Sequence, residues 1–400
     1  MNISAYIAKR YLFSKSSNNT INIITLIAAA GVIIGSMALF IVLSGFTGLR
    51  AFSIGFLNTA DPDIKITAVK GKSFLFSEEI QQQIEQVEGI ISYSKIIEER
   101  AFFDFNQKTH IAYIKGVDSN FVNVNSLDTT VYAGTWLDKN IPLGAVVGNG
   151  ISEILSVGVF EFVEPLKIYV PKPGKGYITN PKNAFSKINT QPIGIFALTE
   201  EIDKKYTFIS LELAQQLLNY KPNQISAIEI KIDSLSKSQT VIDNLTLSLG
   251  NNFSVKSREQ QNAVFYKMLN TENLASYLIF TLIVIIALFN VIGAIIMMII
   301  DKRDNLKTLY NLGATIKDIK RIFILQGFLL TSAGLFIGLF LGIFIVLLQK
   351  KFSFFMITPH LAYPVEFTYF NVFAVVVTLL TLGYFASKIA SSRISEKLIA

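Results

Sequence analysis

Residues 21–46 read INIITLIAAAGVIIGSMALFIVLSGF, without one charged side chain. At 1.5 Å per residue, an α-helix of that length crosses a hydrocarbon core about 30 Å thick. Working outward, three more uncharged runs appear at 273–300, 322–349 and 367–387. A charged block of more than 200 residues separates the first run from the second. The expected fold is an α-helical membrane protein with four transmembrane helices, one before and three after a large mixed α/β external domain. The expected boundaries are 1–20 for a cytoplasmic amphipathic helix, 21–46 for the first span, 47–272 for the external domain and 273–300 for the second span. A cytoplasmic loop at 301–321, the third span at 322–349, a short outer loop at 350–366, the fourth span at 367–387 and a cytoplasmic tail at 388–400 complete the chain.

Hydrophobic residues make up 51% of the chain, more than an ordinary soluble protein carries. The formal charge of +7 could suggest nucleic acid, but its distribution argues otherwise. Residues 47–272 hold 22 Lys/Arg against 24 Asp/Glu, whereas 1–20, 301–321 and 388–400 together hold 12 against 4. The basic excess lies in three short segments on one side, as the positive-inside rule requires of cytoplasmic loops. Both termini are therefore expected in the cytoplasm and the large block outside, with no nucleic-acid partner. The first apolar run is about twice the length of a signal-peptide h-region, so it reads as a retained span. Cysteine is absent, so the external block must fold on an apolar core instead of a disulfide framework.

Within that block, 63–68, 111–116, 166–170 and 225–232 alternate as strands do, and 77–87, 211–218 and 236–249 read as helices. Residues 171–192, rich in Pro, Gly, Asn and Lys, read as a long loop or an extended hairpin. Helical periodicity resumes near Glu259 and runs toward the second span.

Catalytic signatures are missing. Gly71-Lys72-Ser73 resembles the end of a phosphate loop, but Ile66 stands where that loop needs Gly. There are two histidines, His110 and His360, and neither HExxH nor GxSxG occurs, although a Ser/Lys pairing stays open on sequence alone. His110, at the start of a strand, reads as structural. No span contains an ionisable residue, which argues against an ion-coupled carrier. The energy source is then expected on a partner.

Small residues recur every fourth position: Gly31 and Gly35 in the first span, and Gly334, Gly338 and Gly342 in the third. Such ridges let helix backbones approach closely. They serve contact within this bundle or with a second membrane subunit. In the cytoplasmic loop, Leu306, Leu309, Tyr310 and Leu312 gather mostly on one helical face, with Lys302, Arg303 and Lys307 around it. Gly313 suits a helix C-terminus and Thr315 an N-cap for the helix that follows. A short amphipathic helix of this kind suits a groove on a soluble partner.

The runs Phe289-Asn290-Val291-Ile292, Asp301-Lys302-Arg303 and Leu309-Tyr310-Asn311-Leu312-Gly313-Ala314-Thr315 resemble the signature of FtsX/MacB-type ABC transporter permeases. Lys9-Arg10-Tyr11, the Gly-rich first span and Ile41-Val42-Leu43-Ser44-Gly45-Phe46 are similar to the lipoprotein-releasing (LolC/LolE) branch. The chain departs from the family where Asp304-Asn305 replaces the usual Glu-Ile pair.

The resemblance implies a mechanotransmission permease of the bacterial inner membrane, with the large domain periplasmic. It would carry no cofactor, because ATP and Mg would sit on a separate cytoplasmic ATPase dimer that docks on Lys302, Arg303, Asp304, Leu306, Leu309, Tyr310, Leu312, Gly313, Ala314 and Thr315. Other implied partners are a second permease subunit, identical or paralogous, a lipoprotein substrate, membrane lipid and a periplasmic lipoprotein chaperone. The substrate cavity is expected at Val42, Phe46, Leu49 and Phe280. The chaperone-contact loop is expected at Lys172, Tyr177, Asn183 and Phe185. Competing readings are a MacB-like exporter of another cargo, an FtsX-like signalling protein controlling a cell-wall hydrolase, and a membrane-bound enzyme.

Overall fold

The computed structural model describes residues 3–13, 19–160, 164–172, 184–233, 236–358 and 361–395. They fall into two compact units, Met1–Phe52 with Lys267–Ala400, and Ser53–Tyr266. In chain order come α1 (Ile3–Phe13), α2 (Asn19–Ala60), β1 (Ile64–Ala68), α3 (Glu78–Glu85), β2 (Ile90–Phe105), β3 (Lys108–Val117), β4 (Val131–Gly134), β5 (Gly144–Gly148) and α4 (Asn149–Leu155). Next are β6 (Leu166–Pro171), β7 (Phe185–Phe196), α5 (Glu200–Lys205), β8 (Tyr206–Ser210), α6 (Leu211–Leu218), β9 (Ala227–Ile232), α7 (Ser238–Leu249) and β10 (Phe253–Ser257). Last are α8 (Ala263–Asp301), α9 (Arg303–Asn311), α10 (Ile316–Phe352), β11 (Met356–Thr358), β12 (Leu361–Ala362) and α11 (Tyr369–Ser391), with a few shorter pieces between the named elements.

In the first unit, α2, α8, α10 and α11 are long and apolar enough to cross a membrane. They pack around Phe40, Leu288, Val291, Phe323, Leu335 and Leu379, all buried. α2 continues past Phe46 to Ala60 because nothing in TGLRAFSIGFLNTA breaks a helix. It stops before Pro62, whose ring disfavours the α conformation in the preceding residue. α1 packs against α10. Its small residues Ser4 and Ala8 are buried, and the Tyr11 ring lies 6.4 Å from that of Phe323.

The second unit is built on a ten-stranded mixed sheet in the order β10-β1-β9-β2-β3-β8-β5-β7-β4, with β6 paired to both β2 and β7. Part of the proline- and lysine-rich stretch is strand: β6 and β7 pair from Leu166↔Thr190 to Pro171↔Phe185. The hairpin reading therefore holds at 184–192, and residues 173–183, the rest of that expectation, lie outside the described residues. The sequence pattern was obscured because β7 alternates polar residues on both faces before turning apolar at Pro192–Phe196.

Helices α3, α6 and α7 cover one sheet face, with Ile84, Leu217 and Leu245 against Ile66, Ile97 and Ile228. The other face carries an aromatic cluster in which Trp136 stacks on Phe121 at 6.1 Å and Phe208 meets Phe196 edge-on at 5.3 Å. Beside it lies a row of charges. Lys115 Nζ is 2.7 Å from Glu229 Oε1, and both side chains are almost fully buried. Lys65 pairs with Glu98 at 2.8 Å, Asn125 donates to Glu229 at 2.7 Å, and the Tyr206 hydroxyl donates to Glu98 at 2.8 Å. Burial alone would raise the Glu98 pKa, but the Lys65 and Lys115 ammonium groups outweigh it and hold the carboxyl at about 2. The Tyr206 hydroxyl is pushed well above its ordinary value by burial and by the neighbouring Glu98 carboxylate.

Candidate functional site

The cytoplasmic loop expected from sequence folds as α9 followed at once by α10. Gly313, at φ 95°, ends α9 in a left-handed turn that Gly adopts without strain. The Gly313 N–H donates to Tyr310 O at 2.9 Å and the Ala314 N–H to Leu309 O at 3.0 Å, the paired bonds of a Schellman cap. Thr315 then caps α10, exchanging hydrogen bonds with Asp318 in a capping box that holds the Asp318 carboxyl below the usual range.

The four large apolar residues of this loop divide. Leu306 is fully buried and Leu309 packs half-buried on the bundle core, whereas Tyr310 is 39% and Leu312 79% exposed. Helical geometry explains this: Leu306 and Leu309 are three residues apart and share the inward face. Leu306 is thus a bundle anchor, and the outward apolar surface is Tyr310 and Leu312. Lys302 pairs with Asp301 at 2.8 Å, Asp304 and Lys307 lie on the exposed side, and Ala314 packs against the core. Tyr11 of α1 hydrogen-bonds the Asn305 side chain, so α1 braces α9. No periodicity or motif signals that contact.

The two small-residue ridges are each filled inside this bundle, by different neighbours. A Cβ on Gly338 would fall on the Ile33 carbonyl and the Ser36 hydroxyl, and one on Gly334 would lie 2.8 Å from Val32 Cγ1. Gly342 faces Phe40, and Gly31 and Gly35 face Ala287 and Val284 of α8. The α10 ridge is therefore filled by α2 of the same chain.

Val42, Phe46 and Phe280 line one apolar pocket of about 400 Å³. Leu49, one turn further along α2, does not line it. The remaining wall includes Val346 of α10 and Phe355, Tyr363 and Val365 from the connection between α10 and α11. Those loop residues were not singled out from sequence, although the aromatic run at Phe352–Phe355 was the available signal. Gly45 sits under the Tyr363 ring, where a Cβ would be 3.4 Å from Cε1, and Gly48 leaves room for the Pro364 carbonyl.

In the sheet unit, Lys172 and Phe185 line an open groove of about 1280 Å³ together with Arg100, Phe102 and Tyr169. Tyr177 and Asn183 lie outside the described residues. The Lys172 N–H donates to Ala184 O at 2.9 Å, extending the β6–β7 hairpin by one rung. His110 lies in β3, its Nε2 3.3 Å from Lys204 O. Among the described residues no group of three or more His, Asp or Glu is placed to hold a metal ion.

Residues 277–397, covering part of α8 and all of α9, α10 and α11, match the family model of the FtsX-like permease C-terminal region. Over most of its length the chain is similar to the lipoprotein-releasing system transmembrane protein LolE of Haemophilus influenzae, at 25% identity across 87% of this chain and 83% of that one. It is also similar to LolC of Buchnera aphidicola, at 23% identity across 95% of this chain and 93% of that one. Among solved structures, the periplasmic region of MacB from Actinobacillus actinomycetemcomitans superposes with a TM-score of 0.35 at 12% identity, covering 51% of this chain and 92% of that one. The C-terminal part of the chain is therefore an FtsX-like permease region, of a family of transmembrane subunits that carry no cofactor, are not themselves catalytic and work with a partner ATPase.

Proposed function

We propose that this permease releases lipoproteins from the bacterial inner membrane toward the outer membrane. Both termini would be cytoplasmic and residues 47–272 periplasmic. A separate ATPase dimer binds at Tyr310 and Leu312, and its closure on ATP shifts α9. The movement passes into α10 and along the unbroken helices α2 and α8. A second permease subunit, identical or paralogous, completes the assembly. The acylated substrate leaves the outer leaflet through the pocket at Val42, Phe46 and Phe280, and a periplasmic chaperone receives it at the segment around Lys172 and Phe185.

The observation that carries this reading is the pocket, which is apolar and lies among spans without charge. Its 400 Å³ is about thirteen times the volume of a water molecule in the liquid. A methylene occupies a similar volume, so about a dozen can enter. At about 0.8 kcal/mol per buried CH₂, that shelters roughly 10 kcal/mol of an acyl chain's hold on the bilayer. The named activity of the LolE and LolC relatives supports the same cargo.

Depleting the protein is expected to strand lipoproteins in the inner membrane, and normal outer-membrane sorting would defeat the reading. Purification of the full complex should bring down an ATPase and an acylated protein, and a Val42→Trp variant should retain the ATPase but lose the acylated protein.

A further inference from the structure

α10 ends at Phe352, and the chain turns through Ser353, at φ 52°, toward the β11–β12 hairpin. Around that turn Phe352, Phe354, Phe355, Met356 and Ile357 are each 48–70% exposed. Tyr369 and Phe370, at the start of α11, are 83% and 72% exposed. An exposed apolar group of this size marks a surface that something covers.

The turn is fixed in place. The Gln349 side chain donates to Phe355 O at 2.8 Å and to Tyr363 O at 3.2 Å, and accepts from the Phe355 N–H at 2.9 Å. The Tyr363 N–H donates to Phe355 O at 2.8 Å, and the Glu366 N–H donates to Ser44 O at 3.0 Å. The aromatic rings are therefore held outward on a pinned backbone.

We propose that this turn, with Tyr369 and Phe370, inserts into the boundary between headgroups and acyl chains of a phospholipid leaflet. Continuity supports lipid as the occupant. Phe336, Phe340, Phe344 and Leu347 form an exposed apolar flank along α10, in the uncharged run that spans the bilayer, and the turn extends that flank. The chemistry agrees. Lys350 and Lys351 precede the turn and are exposed, with Lys351 Nζ 5.4 Å from the Phe352 ring centre. Aromatic residues beside lysines suit a membrane interface, where the stem lies along apolar surface while the ammonium reaches the phosphates. Phe355 and Tyr363 also line the apolar pocket. On the function proposed above, the inserted turn forms the rim over which an acyl chain passes from the leaflet into the protein.

Tryptophan quenching tests the insertion without reference to cargo. The wild-type chain has a single tryptophan, Trp136, packed between Phe121 and Phe208, which sets the baseline. Full-length F354W and F340W variants are reconstituted into phosphatidylcholine vesicles brominated near the headgroup or deep in the acyl chain. F354W should lose most of its added emission with shallow bromines and less with deep ones, and F340W should show the reverse order. If F354W is quenched no more than wild type while F340W is quenched, the turn lies outside lipid and the proposal is overturned. Cross-linking between copies through a Phe354→Cys variant, combined with that absence of quenching, would assign the surface to a second copy of this chain and overturn it equally.

Discussion

Replacing Gly338 by Ala tests the packing of α10 on α2. The added Cβ would meet the Ile33 carbonyl, a backbone atom with no side-chain rotation to relieve the contact, together with the Ser36 hydroxyl. At the other four ridge glycines the fit is looser. A Cβ on Gly334 would meet Val32 Cγ1 at 2.8 Å, one on Gly342 would meet Phe40 Cδ1 at 3.1 Å, and those on Gly35 and Gly31 would find their first neighbours at 3.7 and 3.8 Å. In a helix interior Ala is favoured over Gly by about 1 kcal/mol. Forcing a methyl into a packed site costs about 1–3 kcal/mol. At Gly31 and Gly35 the propensity gain stands, so their Ala variants should be neutral or up to about 1 kcal/mol more stable. At Gly338 the helices must part, weakening the 3.4 Å contact from Ser36 Oγ to Gly334 O as well. The net cost there is expected at about 1–2 kcal/mol, or roughly five- to thirty-fold in the folded-to-unfolded ratio. Gly334→Ala should fall between, and Gly342→Ala near neutral because the Phe40 ring can yield. Unfolding of the purified full-length variants by titrating SDS into mixed micelles reads the order. A Gly338→Ala protein as stable as Gly31→Ala would refute the close crossing of α2 and α10.

Further outcomes follow from the buried charges and from α9. Glu229→Gln leaves Lys115 buried beside a neutral amide and should cost about 3–5 kcal/mol in denaturant unfolding, most of it recovered when Lys115→Met is added. Glu98 ionises at about 2 in the fold against an ordinary value near 4.5, so its stabilisation is complete above pH 4.5 and is lost as pH falls toward 2. A Glu98→Gln variant should therefore show a flatter decline in stability over that window, measured by acid titration of the near-UV dichroism. On the docking proposed at α9, Tyr310→Asp with Leu312→Asp should abolish co-purification of the ATPase without lowering the melting temperature, whereas Leu306→Ala, in the core, should cost about 2–5 kcal/mol of stability.

The membrane half was readable because lipid imposes a one-letter rule: long uncharged runs become spans, and 273–300 and 322–349 lie wholly within α8 and α10. The helix ends between α9 and α10 were legible for a local reason, since Gly313 and Thr315 act on their own backbone neighbours. The sheet was only half legible. β1, β3, β6 and β9 alternate visibly, but β2, the longest strand, carries Glu98-Glu99-Arg100 in its middle, which reads as a solvated break. Lys65, Lys115 and the Tyr206 hydroxyl, all distant in sequence, make Glu98 a half-buried strand residue. The pocket was legible in Val42, Phe46 and Phe280 and missed in Phe355 and Tyr363. The latter are brought to it by the Gln349 side chain, a contact that no periodicity announces.

The row of charges across β1, β9, β2 and β3 also settles an ambiguity in assembling the sheet. IKITA of β1 and AIEIKI of β9 pair with Ile64 opposite Ile230 and Ile66 opposite Ile228. Sliding one strand by two residues would still leave isoleucine against isoleucine on the core side, so apolar matching barely distinguishes the frames. Lys65 opposite Glu229 and Glu98 opposite Lys115 distinguish them, because any slip strands a cation or a carboxylate without its counter-ion. The buried ions act as a proofreading device: they reject misaligned sheets whose greasy faces would otherwise be acceptable.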